Sequence, residues 1–167
     1  MSIGVDAARV MTPPRAQPGI GLRPGEAAHP AAPFVPLLYA ALYDSVAAHS
    51  KLGLNVAVDV GHYDSEILAD SARRLVGLPV LFVGVKCSVE LIMERRRASE
   101  PGRYVTADMN VAIPTPVLRW QTEVHAQWTY DLEVDTSTHT AKECAHVIRQ
   151  RLDAIPVPDA FARLARH

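Results

Sequence analysis

The stretch LPVLFVGVKCSVELIMERRRASEPGR, from Leu78 to Arg103, decides how this chain is read. Its first half is a continuous apolar run, the pattern of a strand buried in a parallel sheet. Its second half predicts a helix from Val89 to about Ala98, which Pro101 and Gly102 end. That order sets fixed positive charge at the carboxyl end of a buried strand, where open α/β sheets bind their ligands. A guanidinium is a planar fork that suits phosphate oxygens better than an ammonium does. The segment therefore reads as the arginine-bearing lid of a phosphate-handling site. Arg95, Arg96 and Arg97 are consecutive, so they point about 100° apart on a helix. At most two of them can reach one phosphate, and the others are expected in solvent. Arg103 follows the Pro-Gly break and belongs to a loop that can close over a ligand. A solvated run of charge is the competing reading.

On either side of this segment strand and helix alternate. A strand end at Ile3 to Val5 stops at Asp6, and helical periodicity covers Leu37 to Leu52, with Leu38, Leu42, Val46 and Leu52 near one face. Leu54 to Val58 predicts a strand ending in Asp59. Ser65 to Val76 predicts an amphipathic helix with Asp64 or Ser65 as its N-cap. Val80 to Val85 is the next strand, Val117 to Trp128 a helix, and Tyr130 to Asp135 a strand. Thr140 and Glu143 have the spacing of a capping box in front of a helix over Ala141 to Leu152. This alternation predicts an α/β fold, a parallel sheet flanked by helices with right-handed crossovers. All 167 residues fit one domain. Residues 13–36 form a proline-rich loop, read either as a surface excursion or as a wall around a substrate. Residues 153–167 form a tail with a short helical pattern and no assigned role.

Three strands close on an acid: Asp6, Asp59 and Asp135. An apolar run ending in aspartate can present its carboxylate to a catalytic crevice, where it holds magnesium or takes a hydroxyl proton. The same residue can equally cap the next helix. Cys87 and Cys144 lie in different elements, too few for a zinc site and unsuited to a disulfide in a reducing compartment. Cys87 is expected to pack, although His125 is a conceivable base beside it. A formal net charge of -1 and 21% charged residues argue against nucleic acid as a bulk partner. No apolar run approaches the roughly 20 residues a membrane helix requires, and the protein is expected in the cytoplasm. Fourteen arginines stand against three lysines, Lys51, Lys86 and Lys142, which follow Ser50, Val85 and Ala141. The 167 residues therefore contain no Gly-Lys-Ser or Gly-Lys-Thr phosphate loop.

The motifs GVD (4–6), GLNVAVD (53–59), PVLFVGVKC (79–87), VH (124–125), YDLEVDTS (130–137) and ECA (143–145) occur in an order that resembles the chloramphenicol phosphotransferases, over roughly Ser2 to Leu152. The resemblance implies a P-loop kinase fold and transfer of phosphate from ATP, with Mg2+, to a hydroxyl of a small-molecule acceptor, in that family the antibiotic. It makes Asp6 the general base and Asp59 the metal-binding acid of a Walker B-like strand. It makes Arg95 and Arg103 lid arginines that bind the nucleotide and stabilise the transferring phosphoryl group. Three differences accompany it. The family's first strand and its glycine-rich loop are not in this sequence, residues 104–118 form an insertion, and Val60 stands where the family often has a second acid. An N-terminally truncated kinase is expected to have a gap mid-sheet. The chain is then either an O-phosphotransferase without its nucleotide loop or a non-catalytic pseudo-kinase that binds a ligand or partner.

Overall fold

The computed structural model describes residues 1–13, 17, 32–104, 113–125, 129–154 and 158–166. Most of the proline-rich loop, residues 105–112 of the insertion and the end of the helix expected to reach Trp128 lie outside the described residues.

Two parallel strand pairs form the β-structure. Strand β1 (Ser2–Gly4) pairs with β2 (Ala57–Asp59), placing Ile3 beside Val58 and Gly4 beside Asp59. Strand β3 (Val83–Lys86) pairs with β4 (Leu132–Asp135), placing Gly84 beside Glu133 and Lys86 beside Asp135. The protein is thus α/β with small parallel sheets flanked by helices, consistent with a P-loop kinase-like fold. Among the described residues β2 and β3 are not paired with each other, so each keeps one open edge. Both nevertheless rest on one core: Val56, Val58 and Val60 around β2 and Leu78, Val80 and Phe82 before β3 pack on the same buried cluster.

That cluster comes from the helices. Helix α1 (Val5–Val10) follows β1 directly, so Asp6 sits in a first helical turn and not at a strand end. Helix α2 (Val35–Lys51) carries a proline in its first turn, where a missing N–H costs nothing. It buries Val35, Tyr39, Leu42, Tyr43, Val46 and Ala47. The sequence pattern pointed to Leu38 and Leu52 for this face, but Leu52 lies beyond the helix and is 79% exposed. The tyrosines take the inner positions because their hydroxyls find partners there, the Gly61 carbonyl at 2.6 Å and the His62 ring at 2.8 Å. Helix α3 (Ser65–Arg74) is capped by Asp64, whose carboxylate accepts from the Glu66 and Ile67 amides at 2.9 and 3.0 Å. It buries Leu68, Ser71 and Ala72.

Helix α4 (Val89–Arg97) follows β3, α5 (Thr115–Glu123) carries Trp120, and α6 (Ala141–Leu152) begins at the expected Thr140–Glu143 capping box. The C-terminal tail has a structural task that the sequence pattern did not reveal. Helix α7 (Ala160–Leu164) buries Phe161 against Tyr43, centroids 6.1 Å apart, and Phe82, 5.2 Å apart. Asp131 ties this tail to the strands, because its carboxylate accepts from the amides of Phe82, Asp159 and Ala160 at 2.9 to 3.0 Å. Among the described residues no helix is long and apolar enough to cross a membrane.

Candidate functional site

The β1–β2 pair ends in one acid, and a second follows on the helix that leaves it. Asp59 is the last residue of β2, and Gly4 lies opposite it in the ladder. A side chain at position 4 would bring its Cβ to 2.7 Å from the Asp59 carbonyl oxygen, so the glycine of the GVD motif is what lets the two strand ends close. Asp6 follows two residues later, on the first turn of α1. Both carboxylates are exposed. The capping alternative fails for Asp59, since Asp64 caps the next helix. It fails for Asp135 as well, since Thr140 caps α6; the Asp135 carboxylate instead closes the turn after β4, accepting from the Ser137 amide at 2.7 Å, and is thereby held below the usual carboxylate range.

Beyond Asp59 the chain forms an aromatic shelf. His62 is 5% exposed and packs between Tyr39 and Tyr43, with ring centroids 5.2 and 5.7 Å away. Burial pushes its pKa down to about 4, so the ring is neutral at ordinary pH. The same burial raises the phenol pKa values of Tyr39 and Tyr43. Gly61 takes the edge of Trp120 so closely that a Cβ there would overlap the indole. Tyr63 meets Trp120 at 5.6 Å and lies under the Arg119 guanidinium at 5.9 Å. Residues 61–63 had no role in the sequence reading and Trp120 only a place within a helix, because their proximity joins segments nearly sixty positions apart.

The β3–β4 pair ends in Lys86 and Asp135, and cationic and hydroxyl groups gather just beyond it. Arg95, in the last turn of α4, reaches back to the loop after β4. Its Nη2 donates to the Thr136 carbonyl at 2.8 Å, and its Nη1 to the Thr136 hydroxyl at 3.1 Å and the Cys87 sulfur at 3.6 Å. Thr136 is itself fixed on β3, with its amide and hydroxyl donating to the Lys86 carbonyl at 2.8 and 3.1 Å. The Ser88 amide donates to Ser137 Oγ at 2.6 Å, which closes the same corner. Cys87 is half-buried here and Cys144 buried in α6, both as free thiols. His125 is engaged elsewhere, its Nδ1 3.0 Å from the Tyr130 hydroxyl, and burial lowers its pKa.

Arg103 does not join Arg95. Its guanidinium lies over the Tyr104 ring at 5.4 Å, and Arg96 lies over the same ring at 5.0 Å. Arg96, expected in solvent, is half-buried, and that burial lowers its pKa. Arg97 is exposed as expected. The aromatic ring that separates Arg96 from Arg97 in environment is seven residues beyond the triplet and invisible to helical spacing. The structure thus puts Asp59 at the end of β2 and Asp6 two residues past the Gly4 that pairs with it, and brings Arg95 to Thr136, as two separate groups. Among the described residues no ion pair links Asp59 to Arg95 or Arg103, and no three His, Cys, Asp or Glu side chains cluster as metal ligands. A magnesium ion held by one or two carboxylates together with phosphates and waters asks for no such cluster, so Asp59 fits that mode of binding.

The profile of chloramphenicol phosphotransferase-like proteins matches residues 1–153. Two proteins of Mycobacterium tuberculosis, named "Putative O-phosphotransferase Rv2636" in strain H37Rv and "Putative O-phosphotransferase MT2714" in strain CDC 1551, are each 30% identical to this chain over 138 residues. The matched stretch covers 83% of this chain and 56% of each relative, so the chain spans about half the length of the curated relatives it matches. The span matched by the profile includes every motif singled out above, from GVD to ECA. The chain belongs to the chloramphenicol phosphotransferase-like family.

Proposed function

We propose that this chain carries the acceptor base, the magnesium carboxylate and the arginine lid of an ATP-dependent small-molecule O-phosphotransferase. The nucleotide-phosphate loop is then supplied by a segment outside these 167 residues. The split sheet supports this most strongly. Strands β2 and β3 rest on one core without pairing, with Asp59 at the end of one pair and an arginine anchored just beyond the end of the other. A strand inserted between them would satisfy both open edges and deliver its own loop between the two groups.

In this reading Asp6 takes the proton of the acceptor hydroxyl, which requires hydrogen-bond reach of that oxygen. Asp59 holds the magnesium ion, which when bound neutralises charge on the phosphates. Arg95 and Arg103 stabilise charge on the transferring phosphoryl group. The aromatic shelf of Tyr63 and Trp120 lines the acceptor side. Chloramphenicol, the substrate in the family's name, is the first acceptor to test, and resistance to it is the matching phenotype. Dependence on ATP puts the reaction in the cytoplasm.

The lack of a Gly-Lys-Ser or Gly-Lys-Thr sequence favours a second reading for the chain by itself, a non-catalytic ligand-binding relative. One set of measurements separates the two. Magnesium-ATP and chloramphenicol are incubated with the chain, and phosphate transfer is followed by mass spectrometry. The coding DNA upstream of Met1 is then read in frame. We expect no transfer from the chain alone, and transfer once an upstream strand with Gly-x-x-x-x-Gly-Lys-Ser is produced with it. An immediate upstream stop codon, together with no heat of magnesium-ATP binding, would leave only the second reading.

A further inference from the structure

The geometry assigns Thr136 as the positioning residue of the lid, holding Arg95 so that one edge of its guanidinium is reserved for a phosphate. The inference rests on the phosphotransferase reading above, and it concerns a residue for which that reading names no role. Arg95 is exposed on the last turn of α4, and a long exposed side chain ordinarily gives up rotamer freedom when it is fixed. Here the fixing is done before any ligand arrives. Thr136 takes the end-on fork of the guanidinium, with its carbonyl on Nη2 and its hydroxyl on Nη1. The second proton of Nη1 points to Cys87 Sγ at 3.6 Å.

An arginine has five N–H donors in one plane. With the end-on fork occupied, the side-on pair remains, Nε and the outer proton of Nη2, which have no partner among the described residues. Two parallel donors on one edge are what a phosphate accepts in bidentate fashion. Thr136 can do this because it is rigid. Both its amide and its hydroxyl donate to the Lys86 carbonyl, so the β3–β4 ladder extends one residue past β4. Its hydroxyl proton therefore goes to Lys86, and the oxygen lone pair is left to accept from Arg95. Serine preserves that arrangement, whereas valine keeps the shape and loses the acceptor.

Inorganic tripolyphosphate is the probe, titrated by calorimetry into the full chain, with 15N spectra of the arginine side chains recorded alongside. Before any ligand is added, the Arg95 Nε–H is expected to be as ordered as the backbone and to shift on binding. Thr136→Val is expected to weaken binding about three- to tenfold, the scale of one ordinary hydrogen bond lost at an exposed site. Thr136→Ser should bind within about twofold of the wild type on the same grounds. In an Arg95→Gln background Thr136→Val should cost nothing further. Wild-type binding that survives Thr136→Val, or an equal loss in the Arg95→Gln background, overturns the role of Thr136 alone. No binding by the wild type overturns the phosphate reading with it. If Thr136→Val does not fold, the ligand-free spectrum of the wild type still decides, because a fully mobile Arg95 Nε–H overturns the assignment.

Discussion

The two strand pairs are built alike and braced differently. In β3–β4 the braces are side chains reaching between the strands and the loops that leave them: Asp131 on three amides, Thr136 on Lys86, Ser137 on Ser88, and Lys86 with Glu133 at 2.8 Å. The shorter β1–β2 pair relies on the helix beneath it, where Tyr39 and Tyr43 grip the backbone and ring of residues 61 and 62. The difference follows what each end presents. A cation that must be aimed is tied to a rigid corner, whereas the carboxylates of Asp6 and Asp59 are left exposed beside a ladder braced from beneath.

The sharpest way to break the first pair without touching the second is acid. His62 is neutral in the folded protein, with its pKa lowered by burial from 6.5 to about 4. A lowered folded value means that the unfolded chain takes up a proton the folded chain refuses. Stability is therefore complete above pH 6.5 and declines as pH falls toward 4, by up to about 3 kcal/mol from this group. Urea unfolding at several pH values, compared with His62→Phe, reads the effect. The wild type should lose stability on this limb faster than the variant, and parallel curves would show that the His62 ring is not protected.

The second pair is broken at Asp131. Asp131→Ala leaves three amides without their acceptor, and a partly buried unmet donor costs on the order of 1 kcal/mol or more. A loss of about 2 kcal/mol is expected, since water reaches some of these groups. Asp131→Asn should recover part of it, because a side-chain carbonyl still accepts. The effect should appear first as faster hydrogen exchange at Phe82 and Ala160, with Ile3 and Val58 little changed. Uniform acceleration across both pairs would mean that the pairs are not braced separately.

These contrasts also mark how far the sequence could be read. Local signals were legible: the Asp64 cap, the Thr140–Glu143 capping box, the order of strands and helices, and Cys144 inside a helix all depend on neighbours within four residues. The split of the sheet was legible as an expected gap, although only the ladder shows which strands keep partners. Long-range reciprocity was not legible. Asp131 looks like a polar residue ahead of a strand, yet its partners lie 28 to 49 positions away. Thr136 and Arg95 are 41 apart, and nothing in either position announces the other. The placement of Asp6 failed by two residues, because an apolar Val5 continues the strand pattern while the backbone has already turned into a helix. Phe161 was missed because a short tail helix carries too little periodicity to declare an inner face.

The smallest expected effect sharpens the comparison through the helices that follow each pair. Helix α3, after β2, buries Leu68, Ser71 and Ala72, whereas α6, after β4, buries only Cys144. Losing an N-cap costs about 1 kcal/mol of helix stability in either case. Where that cost appears depends on how tightly the helix is coupled to the core. For α3 the first turn cannot open without disturbing Leu68, so Asp64→Ala should lower the global unfolding free energy by close to the full amount. For α6, whose outer face is solvent, Thr140→Ala can be absorbed by fraying of the first turn. It should speed hydrogen exchange at residues 143–145 while the melting temperature moves less than in Asp64→Ala. Equal melting shifts for the two variants would show that α6 is locked to β4 as firmly as α3 is to the core, and that the bracing of the second pair extends into its helix.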